Sequence, residues 1–132
     1  MEESAIVKRN AVILDALVKM GLSAAATVCL LIFGAAEKYG WPQMLGLLFL
    51  HAVGLMLLGS SLKTGERDLA ITALALGVLW NLGAILWLIS QSGSSFGPNG
   101  WEERPVPTTD VVGATILIYW FGGSIRKLAK TS

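Results

Sequence analysis

Four apolar runs, at 20–36, 41–62, 69–89 and 111–125, contain no Asp, Glu, Lys or Arg. These uncharged lengths constrain the chain more than any other feature. A bilayer core takes roughly 20 helical residues, with runs from about 17 tolerated. The second and third runs meet that length. The first and fourth are short and need their polar flanks at headgroup level, with residues 108–110 before the last run and basic side chains snorkelling after it. The whole chain is 54% hydrophobic and only 14% charged, where a soluble domain carries about a quarter charged residues. A soluble fold of 132 residues could not hide so much apolar surface, because small domains leave much of their area exposed. The expected fold is an all-α integral membrane protein. It is a single domain of four transmembrane helices in an antiparallel bundle, with both termini cytoplasmic and an amphipathic N-terminal extension of the first helix.

The joints fit this reading. Trp41-Pro42 opens the second run, and proline is tolerated in a first turn because that N–H lacks a helical partner in any case. The links at 37–40 and 63–68 are short and polar, which makes neighbouring helices adjacent and antiparallel. Only the loop at 90–110 is long. Its Gly, Ser and Pro content predicts no regular element.

Basic residues set the orientation. Lys8, Arg9, Lys19, Lys63, Arg67, Arg126, Lys127 and Lys130 lie on one side of a four-span arrangement, and only Lys38 and Arg104 on the other. Cytoplasmic segments collect Lys and Arg, so the 90–110 loop is expected outside. Trp41 and Trp101 then fall at the outer interface, where indoles concentrate. Before the first run, Lys8, Asp15 and Lys19 share one helical side, opposite Ile6, Ile13, Leu17 and Met20. Asp15 and Lys19 form an i,i+4 pair in the favourable order and read as an interfacial salt bridge. Residues 4–19 can lie along the membrane surface or continue into the first span; the pattern fits both. The N-terminus does not read as a cleavable signal peptide, since Glu2 and Glu3 come first and Asp15 and Lys19 interrupt the first apolar stretch.

Polar residues inside the runs are the candidate ligand-binding positions. His51 is the single histidine, near the middle of the second run. A charge at that depth costs about 2.5 kcal/mol or more, so the ring is expected neutral and sheltered, either as a structural hydrogen-bonding group or as a ligand. Asn81 lies in the third run and reads as interhelical glue or a ligand contact. Counting from the 63–68 link, both sit about 18–20 Å along their helices, which makes Asn81 the expected partner of His51. Ala73, Gly77, Asn81 and Ala84 form a seam at helical spacing, and Gly54 belongs to a looser set in the second run. Small residues at such spacing let helices approach closely. Trp80 and Trp87 share a face and read as packing or as the wall of an aromatic, quinone or pigment site.

Chemistry is otherwise unmarked. The chain has no P-loop, GxGxxG, HExxH, CxxC or GxSxG pattern. One His and Cys29, the single cysteine, are too few for a metal site; Cys29 reads as a small hydrophobe. The formal charge of +1 gives no bulk attraction to nucleic acid. No catalytic residue, metal or cofactor is implied, and haem, pigment or quinone shared through His51 with Trp80 and Trp87 is the remaining cofactor route. The expected function is that of a small non-enzymatic subunit in a plasma or inner membrane, packing with itself or a larger complex. The alternatives are an oligomeric channel or transporter lined by the second and third helices, and a redox or pigment-binding subunit. The orientation is testable. In a Cys29-free background, Thr64→Cys and Ser95→Cys are expected to react with an impermeant thiol reagent from opposite sides of the membrane. Labelling of both from one side would end the four-span arrangement.

Overall fold

The computed structural model describes residues 3–97, 100–104 and 107–130, with the backbone alone at residues 3, 94–97 and 101–104. The chain is helical apart from one short hairpin. Helix α1 is Glu3–Ile32, α2 is Ala35–Tyr39, α3 is Trp41–Thr64 and α4 is Arg67–Ser90; strands β1, Gly93–Gly97, and β2, Gly100–Arg104, precede α5, Thr108–Ala129. Among the described residues, three helices are long and apolar enough to cross a membrane: Ser4–Ile32, Trp41–Thr64 and Arg67–Ser90. Helix α5 has 22 residues, but Thr, Gly and Ser among its aliphatic residues leave it outside that set.

The first helix is continuous from Glu3, so residues 4–19 run on into the first span. The break comes later than the apolar pattern suggests: the run at 20–36 is not one helix. The chain turns at Phe33-Gly34, where Gly34 has φ 91, a left-handed conformation that costs glycine little. The following residues form the separate helix α2. At the other end of the molecule, Gly65 caps α3 at φ 80 and its N–H bonds Ser61 O. The link there shrinks to Gly65-Glu66.

The loop expected to lack regular structure contains the hairpin, and this expectation is corrected. β1 and β2 pair antiparallel, with Phe96 opposite Trp101 and Gly97 opposite Gly100. Only two residues separate the strands, the commonest hairpin spacing. The backbone pairing runs through this turn-rich composition, which argued against a strand.

Helix α1 packs on α3 and α5, α3 on α4, and α4 on α5. Ile13, Ala16 and Met20 of α1 meet Leu58 of α3, Ala70, Ala73, Leu74 and Trp80 of α4, and Phe121 and Leu128 of α5 in one core. These core residues lie towards the Gly65-Glu66 end. Many other apolar side chains face outward on all four long helices, as at Val18, Met56, Leu86 and Tyr119. So large an exposed apolar surface marks contact with lipid.

The tightest approach is between α4 and α5. A Cβ on Gly77 would stand 2.6 Å from Phe121 Cδ2, so only glycine admits the ring. Gly54 plays a milder version of the same part, its missing Cβ lying 3.1 Å from Met20 Cε and 3.5 Å from Trp80. Gly77→Ala is therefore expected to lower the melting temperature, at an overpacking cost of about 1–3 kcal/mol, with Phe121→Leu in the same chain restoring part of it. Gly83→Ala, whose added Cβ meets nothing within 4 Å, should be neutral or stabilising by up to about 1 kcal/mol. A Gly77→Ala protein melting at or above the parent would show that the contact does not form.

Candidate functional site

Beyond the Trp80–Phe121 layer, towards the end that carries α2, the helices part around a cavity of about 800 Å³ lined from α1, α3, α4 and α5. At its floor are Ser23, Thr27, His51 and Asn81, with Trp80 and Trp87 on the wall. His51 and Asn81, 2% and 5% exposed, thus border one space.

They are not each other's partners, and the expected His51–Asn81 pair is corrected. His51 Nε2 lies 2.7 Å from Ser23 Oγ of α1, and His51 Nδ1 lies 2.8 Å from Leu47 O, one turn back in α3. Asn81 Nδ2 donates to Gly77 O at 2.8 Å. Spacing along two helices fixes a common level but not their rotation, and the rotation turns the imidazole towards α1. A carbonyl only accepts, so Nδ1 carries the hydrogen; in the neutral ring Nε2 is bare and the Ser23 hydroxyl donates to it. Thr27 Oγ1 in turn donates to Ser23 O at 2.9 Å. The imidazole also lies against Trp80, with ring centroids 4.6 Å apart, and Trp80 meets Phe121 edge-on at 6.4 Å.

The rim is built from Tyr39 and Asp110. The Tyr39 hydroxyl donates to the Asp110 carboxylate, and Lys38 Nζ stands 3.8 Å from the same carboxylate and 5.0 Å over the Tyr39 ring. Tyr39 also packs edge-on against Trp87, at 5.9 Å. Burial, and then the hydrogen bond to Asp110, raise the Tyr39 phenol above the usual tyrosine range. It therefore keeps its proton and remains the donor. Asp110 sits in the first turn of α5, where the helix dipole favours its charge. This contact ties α2 to α5 across the mouth.

The seam expected on α4 divides in two. Ala73 and Gly77 are in the packed core, whereas Asn81 and Ala84 line the cavity. Asp15 and Lys19 pair at 2.8 Å, and Lys19 Nζ also donates to Ser124 Oγ of α5 at 3.3 Å. Lys19, Arg126, Lys127 and Lys130 line a smaller groove of about 320 Å³ with Tyr119 and Trp120. Trp41 is largely exposed; the side chain of Trp101 lies outside the described residues. Cys29 is exposed on α1.

The residues that sequence reasoning missed are Ser23, Thr27, Tyr39 and Asp110. Ser23 and Thr27, four apart in an otherwise apolar run, were the available signal, as was the placement of Tyr39 and Asp110 beside span ends on the same predicted side. No family model matches this chain, and neither curated proteins nor solved structures match it.

Proposed function

We propose that this is a non-enzymatic integral membrane protein that holds a small, largely apolar molecule in its intramembrane cavity. The proposal includes a four-span antiparallel bundle with both termini and the 63–68 link in the cytoplasm. The observation that carries it is the cavity itself, about 800 Å³, within the range of small-molecule sites. Apolar side chains dominate its walls, with a few polar groups at the floor and at the rim, the usual composition of such a site. The order of contacts supports an antiparallel arrangement: Gly65 lies by Arg9 and Gly54 by Met20, while Arg67 reaches Leu128 O. The basic groove of Lys19, Arg126, Lys127 and Lys130 is at the end assigned to the cytoplasm.

Other uses of the same residues have less support. Ser23 and His51 have the spacing of a nucleophile and its base, but the N–H groups around Ser23 belong to the interior of α1. They are thus used in helix bonds and leave no backbone donors for an oxyanion. Both His51 nitrogens have partners, which argues against an axial haem ligand. The packed layer of Met20, Trp80 and Phe121 beneath the cavity argues against a continuous channel. The subunit reading stands second, favoured by Gly59, Gly122 and Gly123, whose outer faces have open space for a further helix.

The test uses protein in nanodiscs with Trp80 as the single tryptophan, Trp41, Trp87, Trp101 and Trp120 being replaced by Phe. Trp80 is shielded from lipid, so 1-bromododecane dissolved in the bilayer reaches it through the cavity. Saturable quenching is expected. Gly46→Leu, which adds a side chain at the cavity wall where a Cβ meets nothing, should weaken it about fivefold or more, the effect of losing about 1 kcal/mol of binding. Quenching that rises without saturation and ignores Gly46→Leu would remove the binding reading.

A further inference from the structure

The floor of the cavity is polar, yet Ser23, Thr27 and His51 have turned their hydrogens away from it. Ser23 gives its hydroxyl hydrogen to His51 Nε2, and His51 gives its Nδ1 hydrogen to Leu47 O. Thr27 gives its own to Ser23 O. Asn81 uses one amide hydrogen on Gly77 O. That last bond also fixes which way the amide faces, because only its nitrogen can meet a carbonyl oxygen. Oδ1 of Asn81 is then left with no bonded group among the described residues, although the residue is 5% exposed and lines the cavity. An acceptor that opens on an apolar cavity and has no partner there costs about 1–3 kcal/mol. The Ser23 and Thr27 oxygens keep lone pairs at the same floor. Asn81 Oδ1 therefore calls for a hydrogen that has to come from the occupant.

Resting on the ligand-binding reading above, we propose that the occupant is an amphiphile with an apolar body and a neutral hydroxyl head, the hydroxyl donating to Asn81 Oδ1. A hydroxyl suits the floor in both of its roles. It donates to Asn81, and its own lone pairs accept from the second Asn81 amide hydrogen or from the indole N–H of Trp80, which has no hydrogen-bond partner among the described residues. A ketone or quinone only accepts and would place its oxygen against Oδ1. An ammonium head donates, but carrying its charge to the level of His51 costs about 2.5 kcal/mol or more, and no carboxylate lies at the floor to offset this: Asp110 is at the rim, held by Tyr39 and Lys38. The apolar body lies along Trp87 and Leu88 towards the mouth.

Competition in the single-Trp80 protein tests this. Dodecan-1-ol and dodecan-2-one share a chain length and differ in the hydrogen. Each is added at equal mole fraction in the bilayer to displace 1-bromododecane, and recovery of Trp80 fluorescence is measured. The alcohol is expected to displace the probe at about fivefold lower mole fraction, the effect of one net hydrogen bond of about 1 kcal/mol. Asn81→Leu should bring the two compounds level in the mole fraction that displaces bromododecane. Asn81→Ala is the second variant should the leucine protein fail to fold. Equal displacement by alcohol and ketone in the parent would overturn the proposal, with water and not a ligand meeting Oδ1. So would an alcohol preference that survives both Asn81 variants. Absence of saturable bromododecane quenching in the parent is a different failure, which removes the ligand-binding reading and this inference with it.

Discussion

The approach of Phe121 to Gly77 governs the shape of the molecule. Helix α5 can seat its aromatic ring directly on the α4 backbone because position 77 lacks a Cβ. The seated ring then meets Trp80 edge-on, Trp80 meets His51, and Met20 closes the layer against Gly54. On one side of this layer, small and aliphatic residues such as Ala70, Ala73, Leu58 and Leu128 fill the space between helices. On the other side the large Trp80 and Trp87 rings stand where the first side has alanines, and the helices remain apart around the cavity. One glycine thus sets the boundary between a packed half and a hollow half.

The polar groups follow from the same division. In lipid an unsatisfied donor has no water to turn to, so the side chains at the boundary bond the nearest helix carbonyl or each other. Thr27, His51 and Asn81 each bond a carbonyl four residues back in the same helix, and Ser23 bonds His51 across two helices. Local bonding of this kind satisfies these groups within their own helices and requires no bond between α3 and α4. At the rim, where water is near, the stronger charge-assisted contact of Tyr39 with Asp110 can hold α2 against α5 without closing the floor.

Much of this was legible in the chain. The uncharged runs located α3 and α4 to within two residues, and Trp41-Pro42 marked where α3 begins. His51 and Asn81 were legible as a pair because their spacings place them at a common level, and Trp80 and Trp87 because seven residues put them on one face. What the pattern could not carry was rotation about each helix axis. That rotation decides that His51 faces Ser23, and that the Ala73–Ala84 seam is half buried and half open. The Gly34 turn lay inside an apolar run with nothing polar to mark it. The hairpin was hidden because glycine-rich composition argues against strands, while its signal, Phe96 in register with Trp101, spans a two-residue turn.

A packed half and a hollow half respond oppositely to added volume, and paired substitutions on α4 measure this directly. Ala73 is fully buried in the core and Ala84 borders the cavity. Thermal unfolding in nanodiscs of Ala73→Leu and Ala84→Leu compares the two sites on one helix with one chemical change. The account predicts a fall of several degrees for Ala73→Leu, from about 1–3 kcal/mol of overpacking, and an unchanged or raised melting temperature for Ala84→Leu. Equal losses at both positions, or a loss at Ala84 alone, would contradict it.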